Sequence, residues 1–126
     1  MYGFPGETLE DWKRDIDAAL ELQVEHLSAY CLSIEEGTPL HRMNMKASDE
    51  EVERQMYYTL IDRLEAAGFE HYEISNFARP GFRSQHNSAY WTGVPYIGLG
   101  AAAHSFDGHT RSWNVADIRQ YIDAIE

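Results

Sequence analysis

Apolar residues at Leu9, Trp12, Ile16, Ala19 and Leu20 recur at helical spacing, so residues 8–22 read as a helix with one apolar face. Thr8 is placed to cap it, and Glu10 and Asp11 fall in the first turn, where the helix dipole favours acids. Residues 26–34 are mostly small or apolar without clean alternation, the pattern of a strand covered on both faces in a parallel sheet. Glu35 to Pro39 reads as a loop, and residues 40–47 carry no strong signal. Ser48-Asp-Glu-Glu51 has the form of a capping box. Behind it Val52, Met56, Leu60 and Leu64 line one helical face, with Tyr57 and Ile61 beside them, and Gly68 ends the helix. Phe69 to Ser75 reads as a short strand.

Turn, helix, strand, loop, helix, strand is an α/β order that implies βαβ units and a parallel sheet. The strand leading into Gly3-Phe-Pro-Gly6 is represented only by Met1-Tyr2. The pattern changes after residue 76. Gly, Pro, Asn and aromatic residues crowd positions 76–114 and no helical period is visible. Tyr96–Leu99 and Thr110–Trp113 are expected to pair around Asp107-Gly108. Asn114 is expected to cap a last helix over 115–125, with Val115, Ile118, Tyr121, Ile122 and Ile125 as its apolar face. No repeat or low-complexity segment interrupts the chain.

A chain of 126 residues is one domain or part of one, and 44% apolar residues suffice for a modest core. The formal charge of −11, from 21 acids against 10 bases, repels phosphate backbones and anionic lipid, which argues against nucleic-acid binding. No apolar run reaches the roughly 18 residues of a membrane span. Met1-Tyr-Gly-Phe-Pro-Gly6 lacks a basic region followed by an apolar one, so it is not expected to act as a signal peptide. Cys31 is the single cysteine, so no internal disulfide exists, and a reducing, cytoplasmic setting is expected. Its place in an apolar strand suggests burial as a small hydrophobe.

In parallel β/α folds, ligands sit beyond the carboxyl ends of strands, where Gly3–Thr8, Ser33–Pro39 and Ser75–Gly81 would lie. Gly3-Phe-Pro-Gly-Glu-Thr8 is able to present N–H groups to an anion, but ordinary turn and cap chemistry accounts for it more simply. Gly98-Leu-Gly100-Ala-Ala-Ala103 spells a dinucleotide fingerprint, yet His104-Ser-Phe-Asp-Gly-His109 behind it will not start the required helix. Small residues there suit a close backbone approach to a ligand or another strand. His104 and His109 have the reach to share a metal, without an obvious third ligand. His26 and His71, at strand starts, read as structural. His86 stands with Asn87, Tyr90 and Trp91 in an aromatic, loop-rich stretch. Imidazole is a good axial ligand for haem iron and aromatic faces suit a macrocycle, while a structural histidine bonded to backbone fits the residues equally well. The sequence holds no nucleophile elbow, Walker loop or paired-carboxylate signature.

Several segments in order carry a resemblance. Tyr2-Gly-Phe-Pro-Gly-Glu-Thr8 through Trp12 is similar to a YGLPGQT-x3-W element, and Leu27-Ser-Ala-Tyr30 with Ile34-Glu-Glu-Gly-Thr-Pro39 to SxYxLxIExGTP. Tyr72-Glu-Ile-Ser-Asn76, His86-Asn-x2-Tyr90-Trp91 and Gly98-x-Gly-x3-His104-Ser-Phe106 follow. Together they resemble the oxygen-independent coproporphyrinogen III oxidase family of radical S-adenosylmethionine (SAM) proteins, nearest its branch of HemW-type haem chaperones. The resemblance implies the C-terminal half of a partial (β/α)6 radical-SAM barrel over residues 1–80. A family-specific, β-rich extension with a helix would follow over residues 81–126. It implies a [4Fe–4S] cluster, SAM and haem in the parent protein. The cluster motif C-x3-C-x2-C is absent here, and several thiolates are needed to hold such a cluster. The chain is therefore expected to be part of a longer product, inactive and cluster-free alone. By position, Met1, Tyr2, Gly3, Tyr30 and Cys31 would face the SAM cavity. His86 would ligate haem iron, with Asn87, Tyr90 and Trp91 around it. The spelling of the first two elements leans to haem delivery. The alternatives are oxidative decarboxylation of coproporphyrinogen III to protoporphyrinogen IX and a non-enzymatic haem-binding module. Expected partners are haem or a porphyrinogen, the missing barrel half, and further copies of the chain.

Overall fold

Thr8 starts the first helix as its sequence position suggests. In the computed structural model, which describes residues 1–125, α1 spans Leu9–Glu21. The Thr8 hydroxyl accepts from the Asp11 N–H at 3.2 Å, and Asp11 accepts in return from the Thr8 N–H at 3.0 Å. The remaining elements are β1 (His26–Ser28), α2 (Pro39–Arg42), α3 (Glu50–Ala66), β2 (Glu70–Glu73), β3 (Asn76–Ala78), α4 (Gln85–Trp91), β4 (His104–Phe106), β5 (Arg111–Trp113) and α5 (Ile118–Ile125). They form two units, Met1–Ser84 and Gln85–Glu126.

In the first unit α1 and α3 pack together and on a three-stranded sheet. Trp12 and Ile16 of α1 meet Met56, Leu60 and Leu64 of α3, and the Trp12 indole donates to the Met56 carbonyl at 3.0 Å. Met56, Leu64 and Phe77 are wholly buried. The Ser28 hydroxyl donates to the side chain of Asn76, the one buried polar residue among the described residues. His26 bonds Tyr72 at 2.7 Å, and His71 stacks on Phe77 with centroids 4.4 Å apart, so both histidines are structural.

The sheet corrects the expected parallel arrangement. Its order is β1-β3-β2, with β3 antiparallel to both neighbours. β2 turns back through Ile74 and Ser75, and β3 enters between β1 and β2, where the expected Ser75–Gly81 loop would have stood. Parallel pairing survives at one bridge, Tyr2 to Cys31. There the Tyr2 N–H donates to the Tyr30 carbonyl at 3.0 Å, and the Leu32 N–H to the Tyr2 carbonyl at 2.8 Å. The 26–34 run is consequently a three-residue strand and a separate bridge, not one continuous strand, and Cys31 is exposed rather than buried. Two further expectations shift. α2 starts at Pro39, the end of the expected loop, and takes the first three residues of the 40–47 stretch that carried no signal. The cap of α3 is Asp49, whose carboxylate accepts from the Glu51 N–H at 2.9 Å, while the Ser48 hydroxyl donates to the Phe4 carbonyl.

In the second unit β4 pairs with β5, and Tyr96 bridges Phe106 on the other side. The expected 96–99 strand thus yields its place beside 111–113 to His104–Phe106. A Cβ on Gly98 would meet the His104 carbonyl oxygen at 2.1 Å, so the small residue serves approach to another strand. The cap of α5 is Asp117, which accepts from the N–H groups of Arg119 and Gln120 at 3.0 Å. Asn114, expected there, instead donates to the Gly98 and Gly100 carbonyls at 3.2 and 2.8 Å.

Candidate functional site

The Tyr2–Cys31 bridge gathers the first set of expected site residues. A Cβ on Gly3 would stand 3.1 Å from the Cys31 sulfur and 3.6 Å from a Glu53 carboxylate oxygen. Partial loss of water around the sulfur, then the Glu53 carboxylate beside it, raise the Cys31 thiol above its ordinary range. Tyr30 is exposed, whereas Tyr2 is buried with its ring 5.0 Å from that of Trp12. Burial, with smaller contributions from Cys31, Tyr57 and Glu53, pushes the Tyr2 phenol up to about 12. Met1 lies at the mouth of an apolar cavity of about 200 Å³ that Trp12, Ile16, Leu27, Leu60 and Leu64 also line. Tyr2 and Gly3 are therefore buried, and Met1, Tyr30 and Cys31 are the exposed members of the set.

His86, Asn87, Tyr90 and Trp91 form the second set, in the second unit. The structure corrects their surroundings: they lie on α4, not in a loop. Helical spacing brings residues four apart onto one face. His86 and Tyr90 accordingly meet, with Tyr90 Oη 3.2 Å from His86 Nε2 and the rings edge to face at 5.1 Å. Tyr90 continues into Tyr96 at 4.9 Å, and Tyr96 into Phe106 at 6.3 Å. Pro95, Tyr96, Ile97, Phe106, Asp107 and Thr110 edge an open cleft of about 630 Å³. Tyr90 and Trp91 remain 48% and 62% exposed, which leaves aromatic surface for a flat apolar ligand beside the imidazole. That Tyr96 and Phe106 extend the row of rings from Tyr90 was not legible; the only hint was an aromatic on each side of the glycine-rich run that folds into their bridge.

The other candidates do not assemble. His104 leans on Trp113 at 5.9 Å, and His109 sits in the turn that Asp107 ties down. Hydrogen bonds from Thr110 and His109 hold the Asp107 carboxyl down at about 2, as a turn anchor. Among the described residues no group of three or more His, Cys, Asp or Glu is placed to hold a metal ion. The donor set does not fit an iron–sulfur cluster, since Cys31 is the only thiol of the sequence. It does fit haem, through one imidazole with aromatic surface beside it.

No family model matches the chain. Its structure is similar to coproporphyrinogen III oxidase (HemN) from Escherichia coli, described as a radical SAM enzyme. The TM-score is 0.76 at 20% identity, over 98% of this chain and 32% of that one. The fold is thus that of a segment of that enzyme, mixed in helix and sheet. In sequence the chain is 41% identical to the haem chaperone HemW of Bacillus subtilis, over 99% of its own length and 34% of that protein. It is 42% identical to HemW of Mycobacterium tuberculosis, over 99% of its length and 33% of that protein. It is 38% identical to the mitochondrial radical S-adenosyl methionine domain-containing protein 1 of Bos taurus, over 94% and 29%. Over nearly its whole length the chain is similar to a segment of HemW-type radical-SAM proteins, and it spans about a third of the length of the relatives it matches.

Proposed function

We propose that this chain is the part of a haem-delivering radical-SAM protein that carries the iron ligand. His86 binds haem iron, Tyr90 and Trp91 lie against the macrocycle, and Asn87 adjoins them on α4. The observation that carries this reading is the half-exposed His86–Tyr90 pair on one helix face, in a chain whose relatives are named haem chaperones. In the whole protein, residues 1–80 would complete a partial (β/α)6 barrel and residues 81–126 form its extension. Met1, Gly3, Tyr30 and Cys31 would then stand toward SAM, which, with a [4Fe–4S] cluster, would be held largely by the rest of the protein. Exposed apolar side chains such as Ile97, Leu99 and Trp113 support self-association of the chain on its own. A cytoplasmic site of action agrees with the single thiol.

Titration with ferric protoporphyrin IX tests the reading. His86→Ala removes the iron–nitrogen bond and is expected to lower affinity and shift the Soret band, with helical content unchanged. His104→Ala should leave both as they are. If His104→Ala abolishes the haem spectrum while His86→Ala does nothing, the ligand is misassigned. If neither matters, haem binding here is non-specific and a porphyrinogen-oxidising role gains ground. Anaerobic reconstitution with iron and sulfide should leave no [4Fe–4S] absorbance on the chain.

A further inference from the structure

His86 Nε2 is the imidazole nitrogen farther from the backbone, and therefore the one free of crowding by its own Cβ when a bulky iron complex approaches. It is also the nitrogen that Tyr90 Oη meets at 3.2 Å. An imidazole nitrogen is a much stronger base than a phenol oxygen, so the phenol O–H donates and the Nε2 lone pair accepts. This assignment by basicity puts the ring proton on Nδ1. The contact is built into α4: an i, i+4 pair on one helix face, with Tyr90 held from its other side by the edge of Tyr96 at 4.9 Å. The lone pair that haem iron would need is thus already occupied.

We propose that Tyr90 is a built-in competitor for the iron-binding nitrogen of His86, displaced when haem binds and recapturing Nε2 as haem leaves. The proposal rests on the haem reading of His86 and adds to it a positioning residue that favours release. A partner that competes intramolecularly for a ligand atom lowers affinity by the factor of its own bond. A single hydrogen bond corresponds to roughly two- to tenfold at ambient temperature. For a protein that hands its cargo on, such a competitor shortens the lifetime of the loaded state.

Tyr90→Phe in the 126-residue chain deletes the hydroxyl and keeps the ring. Long-range proton–nitrogen NMR of the haem-free chain should show Nε2 unprotonated in the wild type. In the variant the proton should shift toward Nε2, the site preferred by free imidazole. Ferric protoporphyrin IX should bind the variant about two- to tenfold more tightly, and its transfer to excess apomyoglobin should slow by a similar factor. A purely structural role for Tyr90 would move neither the tautomer nor the transfer rate in these directions. If His86→Ala weakens binding while Tyr90→Phe leaves the tautomer unchanged, or binds haem equally or less well, the competitor role is overturned and the haem reading stands. If His86→Ala has no effect on binding, the haem reading falls and the role of Tyr90 falls with it.

Discussion

Gly3 holds a backbone φ of +81°, and a methyl group there would press on the Cys31 sulfur. Gly3→Ala combines left-handed strain with that crowding, and is expected to cost about 1–3 kcal/mol in urea unfolding. The same corner sets two chemical properties. Since the Cys31 thiol is raised, less of it is thiolate at neutral pH, so alkylation by iodoacetamide should be slow. Glu53→Gln removes a neighbouring negative charge and should speed the reaction. The folded-state value of the Tyr2 phenol, about 12, lies above the ordinary phenol value near 10. The folded state then holds its proton more tightly than the unfolded chain. Tyr2 contributes fully below about pH 10, and that contribution is lost as pH rises toward 12. Tyr2→Phe should flatten this part of the stability profile. None of this was legible in the sequence, because the exposure of Cys31 and the burial of Tyr2 depend on where the short bridge between them ends.

At the scale of elements, helices were more readable than strands. α1 and α3 carry their own caps and apolar periods, so local sequence defines them apart from a one-residue shift of the α3 cap from Ser48 to Asp49. Strand direction is a long-range property. β2, Glu70–Glu73, is half-buried at every position and offers no alternation to read, and the reversal at Ile74 and Ser75 lacks glycine or proline. α4 escaped detection because His86, Asn87 and Ser88 are weak helix formers and the segment has no buried residue to set a period. The packed faces of the long helices carry the stability. Leu64→Ala opens a cavity at a wholly buried position and should cost about 2–5 kcal/mol by chemical denaturation. Thr8→Ala, which removes the hydroxyl arm of the α1 cap and keeps the backbone N–H bond to Asp11, should cost closer to 1 kcal/mol.

For the molecule as a whole, burial is divided unevenly. The buried core residues, from Tyr2 to Ala78, all lie within Met1–Ser84. Among the described residues of the second unit none is buried, and Ile97 and Leu99 are 83% and 85% exposed. Opening free energy follows buried contact, so the two units should not melt as one. Native-state hydrogen exchange should find the slowest amides in α1, α3 and β3, and β4, β5 and α5 should exchange at lower denaturant. The candidate haem ligand belongs to the weaker unit, and a ligand that binds only folded protein stabilises it by mass action. Ferric protoporphyrin IX should therefore slow exchange chiefly within residues 85–125, and this added protection should disappear in His86→Ala. Equal protection of both units would mean that haem adheres without selecting the α4 site. A single cooperative transition in the haem-free chain would show that the second unit draws more stability from its hydrogen-bonded turns than its burial supplies.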